Sequence, residues 1–277
     1  MGSTQPNNGG PSAGRDADRG ADPDAKPGPH APRVPRGTRV YAIGDIHGRL
    51  DLLDALHAAI GKDAEAAAEK SPRARRRILI HLGDYVDRGP DSKGVIERLA
   101  GLDMPGFEVV NLKGNHEDFF VRFMAESSGH ASTFDVWQAN GAPETLKSYG
   151  IAVSSEPHEV EEIDRIRRET REKVPAAHKR FLKNLVLRKT VGDYLFVHAG
   201  INPAFPLSRQ RIGDLLWIRG RFLDHPGPFG KVIVHGHTIF STPEVLDHRI
   251  GIDTGAYYSH RLTCLVLAGT ERYFLRT

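Results

Sequence analysis

From Arg39 onward the apolar positions follow two alternating rhythms. The short runs RVYAI (Arg39–Ile43), RILIHL (Arg77–Leu82) and EVVNL (Glu108–Leu112) have the length and β-branched content of buried strands. Between and after them, apolar residues recur on single helical faces: Leu50, Leu53, Leu56 and Ile60, then Val95, Ile96 and Leu99, then Phe119, Phe120 and Phe123. This β-α-β-α order predicts a layered α/β fold. Later in the chain YLFVH (Tyr194–His198), KVIVH (Lys231–His235), RLTCLVL (Arg261–Leu267) and RYFLR (Arg272–Arg276) follow one another with few helices between them, which predicts a second, more antiparallel sheet. Together they predict an α/β two-sheet sandwich flanked by helices.

Two stretches break the pattern. Residues 1–37 are rich in Gly, Pro, Asp and Ala and carry no large apolar side chain after Met1 except Val34, so they read as a disordered tail that cannot offset its ordering entropy. The folded domain is then expected over 38–277. Between about 126 and 190 the pattern turns to charged helices, notably VEEIDRIRRETREK (Val160–Lys173), expected as a small helical cap insertion with a solvated face. The Arg73–Arg77 run before the second strand reads as a solvated edge.

Composition narrows the class. The 277 residues suit one sizeable domain. No stretch approaches the ~20 apolar residues of a membrane span, and the opening MGSTQPNNGG has neither a basic nor an apolar signal region, so a cytoplasmic protein is expected. The lone Cys264 lies in an apolar strand run and lacks the arginine, six residues on, that a cysteine-nucleophile phosphatase loop carries, that place being Thr270. Of the net charge of +3, +2 sits in the tail, with six basic and four acidic residues up to Arg39. The remaining +1 gives no electrostatic footprint for nucleic acid.

Five segments share one layout, in which a strand run ends and Asp, Asn or His follows on a Gly-containing turn: Gly44-Asp45-Ile46-His47-Gly48, Gly83-Asp84-Tyr85-Val86-Asp87-Arg88-Gly89, Gly114-Asn115-His116-Glu117, His198-Ala199-Gly200 and Gly236-His237-Thr238. Singly, each is an ordinary turn or strand-end histidine. Five in order at the carboxyl ends of strands mark the place where α/β sheets assemble ligand sites. Asp45 and His47 suit one metal ion, Asp84 offers an oxygen to each of two, and Asn115, His198 and His237 complete the ligand set of the second ion. Mixed oxygen and nitrogen donors without thiolate suit manganese, with iron or zinc as alternatives. Two such ions activate a water and clamp the oxygens of an in-line displacement.

These segments, GDIHG, GDYVDRG, GNHE, HAG and GHT, resemble the signature of the metallophosphoesterase superfamily, and specifically its phosphoprotein phosphatase branch. Bacterial serine/threonine phosphatases also look like this chain at Trp137…Asn140-Gly141, Leu216-Trp217-Ile218-Arg219 and Ile252-Asp253-Thr254-Gly255-Ala256. The resemblance implies an α-β-β-α fold and direct attack of a metal-activated hydroxide on phosphorus, with no phosphoenzyme. It also implies roles. Asp45, His47 and Asp84 hold the first metal; Asp84, Asn115, His198 and His237 hold the second. His116 is the general acid, oriented by Asp87. Arg88 holds the phosphate with Arg219 as second clamp, Arg221 being its near rival.

Within the superfamily, Ile239 stands where many nucleases have the second histidine of Gly-His-x-His. Enzymes that cleave dinucleoside polyphosphates usually look like GDLVxRG and GNHD, with Ala or Asn at Asp87 and Asp at Glu117. The expected substrate is therefore a phosphorylated protein or peptide, with a nucleotide or dinucleoside polyphosphate as the alternative and neither nucleic acid nor membrane as partner. The sequence leaves the oligomeric state open.

Overall fold

Every expected strand run falls in one of two five-stranded sheets. A computed structural model describes residues 31–70, 76–128, 132–153 and 159–277. Strands β1 (Thr38–Ile43), β2 (Arg76–His81) and β3 (Phe107–Asn111) run parallel in the first sheet. The second sheet is formed by β4 (Arg188–Val191), β5 (Tyr194–Val197), β6 (Val232–His235), β7 (Glu244–Val245) and β8 (Arg249–Gly251). Its order is β4-β5-β6-β8-β7, with β5, β6 and β8 parallel and the two outer strands antiparallel. The chain then returns to the first sheet as β9 (Thr263–Ala268), antiparallel to β1, and β10 (Glu271–Arg276), giving β10-β9-β1-β2-β3.

The apolar runs are continuous because both faces of the central strands are buried. Successive side chains on a strand point to opposite faces. Val40, Ala42, Ile78 and Ile80 of the first sheet meet Tyr194, Phe196, Val232 and Val234 of the second in one core between the sheets. Tyr41, Ile43 and Leu79 turn the other way, under the helices α1 (Leu50–Lys70), α2 (Ser92–Ala100) and α3 (Asn115–Ala125). On the far side of the second sheet, Leu195, Val197 and Ile233 pack beneath Leu215 and Phe222. The layers are thus helix, sheet, sheet, helix.

The stretch expected as a helical insertion holds α4 (Ser132–Gln138), α5 (Ala142–Ser148), α6 (Val160–Lys173) and α7 (Ala176–Lys183). Phe134, Trp137, Leu146, Ile163, Ile166 and Leu182 join the same core as α1 to α3, so these helices extend the outer layer. The sequence reading of α6 as a solvated helix holds for one face only. Arg165–Glu169 and Lys173–Glu169 pair four residues apart on the exposed side. The opposite face buries Ile163, Ile166, Arg167 and Thr170, with the Arg167 guanidinium bonded to the Phe123 carbonyl.

The tail boundary is also different from the expectation. Val34 is 1% exposed in the inter-sheet core, and its amide donates to Gly269 O at 2.9 Å. Arg33 exchanges backbone contacts with Asp193, donating to its Oδ2 and accepting from its amide, both at 3.0 Å. One apolar side chain and a few main-chain bonds are enough to dock these residues. Residues 1–30 lie outside the described residues, as do Arg73 to Arg75 of the basic run; Arg76 pairs with Glu108. Cys264 is buried in β9, and burial pushes its thiol well above the ordinary range.

Candidate metal centre

The expected site residues converge because they occupy one kind of position, the turn after a parallel strand. Asp45 and His47 follow β1, Asp84 to Arg88 follow β2, and Asn115 and His116 open α3 after β3. From the second sheet, His198 follows β5 and His237 follows β6. His47, Asp84, Asp87, Arg88 and His237 all take positive φ, a conformation that non-glycine residues adopt at a cost and that clusters at functional turns. Two glycines let these turns close. A Cβ on Gly236 would fall on Asp45 Oδ1, and one on Gly114 would fall on Asp84 Oδ1.

Asp84 sits at the middle. Its Oδ2 is 3.7 Å from both His47 Nε2 and His116 Nε2, while its Oδ1 is 3.4 Å from His198 Nε2. Among the described residues, two sets of donor atoms lie within 4.8 Å of one another, His47, Asp84 and His116 in one and Asp84, His198 and His237 in the other. Both are buried and share Asp84. Burial alone would raise the Asp84 carboxyl, but the imidazoles of His198, His116, His47 and His237 pull it well below the usual carboxylate range.

The donor set fits cations. His47 Nδ1 lies 2.8 Å from Val86 O and His198 Nδ1 3.0 Å from Leu82 O, contacts that place the proton on Nδ1 and turn the Nε2 lone pair into the site. Asn115 Oδ1 stands 2.8 Å from that His198 Nε2. Asp45 Oδ1 and His237 Nε2 are buried without a hydrogen-bond partner, an expensive arrangement unless something positive faces them. Burial depresses the His47 and His198 imidazoles and takes His237 down to about 2, so all three are held neutral, the form that ligates metal. Burial pushes Asp45 well up, helped by the charges of Asp253 and Asp84, and takes Asp253 up to about 6. Crowded carboxyls and neutral imidazoles together make a donor set suited to a cation.

One detail departs from the expected grouping. Asp45 falls outside both tight sets; its Oδ2 accepts the His237 amide at 2.9 Å, and His116 takes the third place beside His47 and Asp84. His116 is also bound where the resemblance puts it. Its Nδ1 is 2.6 Å from Asp87 Oδ2, which accepts Trp137 Nε1 at 2.8 Å as well. Thr145 Oγ1 donates to Asp87 Oδ1 at 2.6 Å. Burial lowers the His116 imidazole, but the Asp84 charge and the Asp87 bond outweigh it and the net shift is upward. Glu117, the next residue, accepts the amides of Asp84, Tyr85 and Gly114 at 2.9, 2.7 and 2.8 Å, clamping the β2 turn to the start of α3. Burial, followed by the Asp84 charge, takes its carboxyl up to about 7.

Both expected arginines border the site. Arg88 Nη1 is 3.1 Å from His47 Nε2, and its guanidinium lies over the Tyr257 ring. Arg219 Nη1 donates to His237 O at 3.1 Å and to Thr238 Oγ1 at 3.0 Å. Arg221 is exposed in the short helix that follows, so the bond to the His237 turn singles out Arg219. Aromatic rings stand on both sides. Tyr257 packs against His47 at 5.6 Å, and Trp217 against His237 at 6.2 Å. Asp253, Glu117, Trp137, Thr145, Trp217 and Tyr257 were not among the expected site residues, although the Ile252-Asp253-Thr254-Gly255 segment repeats the strand-end layout after β8.

A two-sheet α/β sandwich with a buried, histidine-rich and carboxylate-rich centre at the strand ends defines a metal-dependent phosphoesterase. Residues 38–255 match the model of the calcineurin-like phosphoesterase family, and the chain belongs to that family. It is a hydrolase of the metallophosphoesterase type, a family that uses divalent metals. The chain is 27% identical over 237 residues to the asymmetrical bis(5'-nucleosyl)-tetraphosphatase PrpE of Bacillus thuringiensis (strain Al Hakam), covering 80% of this chain and 88% of that protein. The PrpE protein of Oceanobacillus iheyensis is 25% identical over 239 residues, covering 81% and 87%. A solved structure provisionally named a diadenosine tetraphosphatase superposes with a TM-score of 0.56 at 20% identity, covering 89% of this chain and 98% of that one. A cold-active protein-tyrosine phosphatase of a psychrophilic Shewanella gives 0.50 at 15% identity, covering 88% and 83%, a likeness of fold. No helix among the described residues is long and apolar enough to cross a membrane.

Proposed function

We propose that this protein hydrolyses dinucleoside polyphosphates, cleaving them asymmetrically. The observation that carries this reading is the placement of Tyr257 and Trp217 on opposite sides of the two candidate metal sets, with Arg88 and Arg219 beside them. A polyphosphate chain with a flat base at each end matches two cationic forks flanked by two rings. The named relatives, similar along four-fifths of the chain, support the same substrate. Asp45, His47 and Asp84 would hold one ion and Asp84, Asn115, His198 and His237 the other. Bound there, such ions lower the pKa of water and neutralise charge on the phosphate oxygens. Arg88 and Arg219 orient the chain through bidentate contacts. His116 holds a proton on Nε2, with Nδ1 tied to Asp87, ready for the leaving oxygen.

The Asp87–His116 pair favours a second reading, hydrolysis of serine or threonine phosphate in a protein. A poor alkoxide leaving group needs a proton, whereas a nucleotide leaves readily without one. Product analysis separates the two. Metal-reconstituted protein given diadenosine tetraphosphate is expected to release ATP and AMP in equal amounts. Release of ADP alone, or no turnover while phosphopeptides are cleaved, would contradict the proposal.

A further inference from the structure

A cavity of about 600 Å³ adjoins the centre on the His47 side, between the turn after β1, the start of α1 and the Tyr257 loop. Gly48, Asp54, Asp91, Tyr257 and His260 line it, with Arg49 in its wall. Tyr257 is the wall shared with the metal centre, because the same ring carries the Arg88 guanidinium at 5.1 Å and abuts His47. A phosphate held by Arg88 therefore has this cavity as its neighbour.

The lining is wrong for another phosphate. Arg49 is buried and committed, donating to both oxygens of Asp51 at 2.8 and 2.6 Å and to Ala256 O at 3.0 Å. Asp54, whose Oδ1 pairs with Arg98, and Asp91, whose Oδ1 caps α2 by accepting the Gly94 amide at 2.7 Å, add further carboxylates through their second oxygens. What the cavity offers is acceptors, an aromatic ring and one donor. His260 Nδ1 lies 3.0 Å from Arg49 Nη1, which can only donate, so the neutral imidazole keeps its N–H on Nε2. A flat group bearing hydroxyls and an amino group, with no charge of its own, matches that set.

We infer that this cavity is the subsite for one nucleoside of the substrate, its base against Tyr257 and its ribose hydroxyls toward the carboxylates of Asp54 and Asp91. The inference rests on the dinucleoside polyphosphate reading. It makes Tyr257 a specificity residue with two contacts, Arg88 on the phosphate side and the base on the cavity side. Ring stacking accepts any base, so the subsite discriminates nucleoside from no nucleoside more than one base from another.

The test measures kcat/KM for diadenosine tetraphosphate and for p-nitrophenyl phosphate, which uses the same centre without a nucleoside, in the metal-reconstituted full chain. Tyr257→Leu is expected to lower the ratio of the two by about tenfold, equivalent to about 1.4 kcal/mol, while Tyr257→Phe keeps it within about threefold. His260→Ala is expected to lower it by about threefold, through one lost hydrogen bond. Equal losses on both substrates in Tyr257→Leu would reduce the ring to a prop for Arg88 and overturn the subsite. So would a selective loss on a phosphoserine peptide flanked by lysines, which would make the acidic cavity a peptide pocket. A wild-type protein that cleaves p-nitrophenyl phosphate but not the dinucleotide would overturn the substrate reading itself, and the subsite with it.

Discussion

His116 Nδ1 and Asp87 Oδ2 stand 2.6 Å apart with both side chains buried, and the indole of Trp137 donates to the same carboxylate oxygen at 2.8 Å. The carboxylate fixes the imidazole and favours its protonated form, and the indole fixes the carboxylate. A proton on His116 Nε2 serves a leaving oxygen in proportion to how poorly that oxygen leaves.

His116→Ala should therefore lower kcat by about 10²–10⁴ on an alkyl phosphate. The loss should be much smaller on p-nitrophenyl phosphate. Asp87→Asn should show a weaker form of the same dependence, and equal losses on the two substrates would assign His116 another role. Trp137→Phe removes a donor from a buried carboxylate and should cost about 1.5–3 kcal/mol of stability, read by denaturant unfolding.

Chelation should abolish hydrolysis of p-nitrophenyl phosphate, and Mn²⁺ should restore it. Asp84→Asn should be the most damaging ligand change, because its two oxygens face different donor sets. Full activity in protein shown by elemental analysis to be metal-free would refute the dinuclear reading.

Stability should fall on mild acidification through a histidine pair between α1 and the end of β2. His57 Nε2 and His81 Nε2 are 3.0 Å apart; burial, then the Arg98 charge, takes His57 down to about 4, and burial, then the His57 charge, takes His81 down to about 3. Unfolded histidine titrates near ~6.5, so the unfolded chain takes up protons first. The pair's contribution is intact above that pH and declines as pH drops from there toward about 4. In His57→Phe the unfolding free energy should depend less steeply on pH between about 7 and 5; an unchanged slope would show that the pair does not titrate on unfolding.

Removing residues 1–30 should leave kcat, KM and Tm unchanged, because that composition offers no large apolar side chain after Met1. Removing residues 1–36 also takes away the buried Val34 and should cost about 1.5–3 kcal/mol. Equal Tm values for the two truncations would contradict the docking of Val34.

The turns of the candidate centre were legible because ligand chemistry and strand ends coincide in the sequence; Asp45, His47, Asp84, Asn115, His198 and His237 all stand within four residues of the end of a strand. The continuous apolar runs also announced two buried sheets. What stayed hidden is tertiary. Trp137 and Thr145 lie 50 and 58 residues from Asp87, and no local pattern marks them as its partners. β8 has three residues, too few to read as a strand, so Asp253 was noticed only through the resemblance of its segment and not as a strand-end ligand. The helices around Trp217 and Tyr257 have six and four residues, too short for periodicity. Substrate class stayed open in the sequence for a related reason. Asp87 and Glu117 weighed toward a protein phosphatase, but Glu117 clamps the backbone of two turns, a structural duty that serves either substrate.

Substrate class is decided by kcat/KM of the metal-reconstituted protein for diadenosine tetraphosphate against the best of a varied set of phosphoserine and phosphothreonine peptides. The dinucleotide is expected to win by at least about tenfold, or about 1.4 kcal/mol of transition-state preference. A best phosphopeptide that exceeds the dinucleotide by the same factor would contradict the dinucleoside polyphosphate reading and return the protein to the serine/threonine phosphatases.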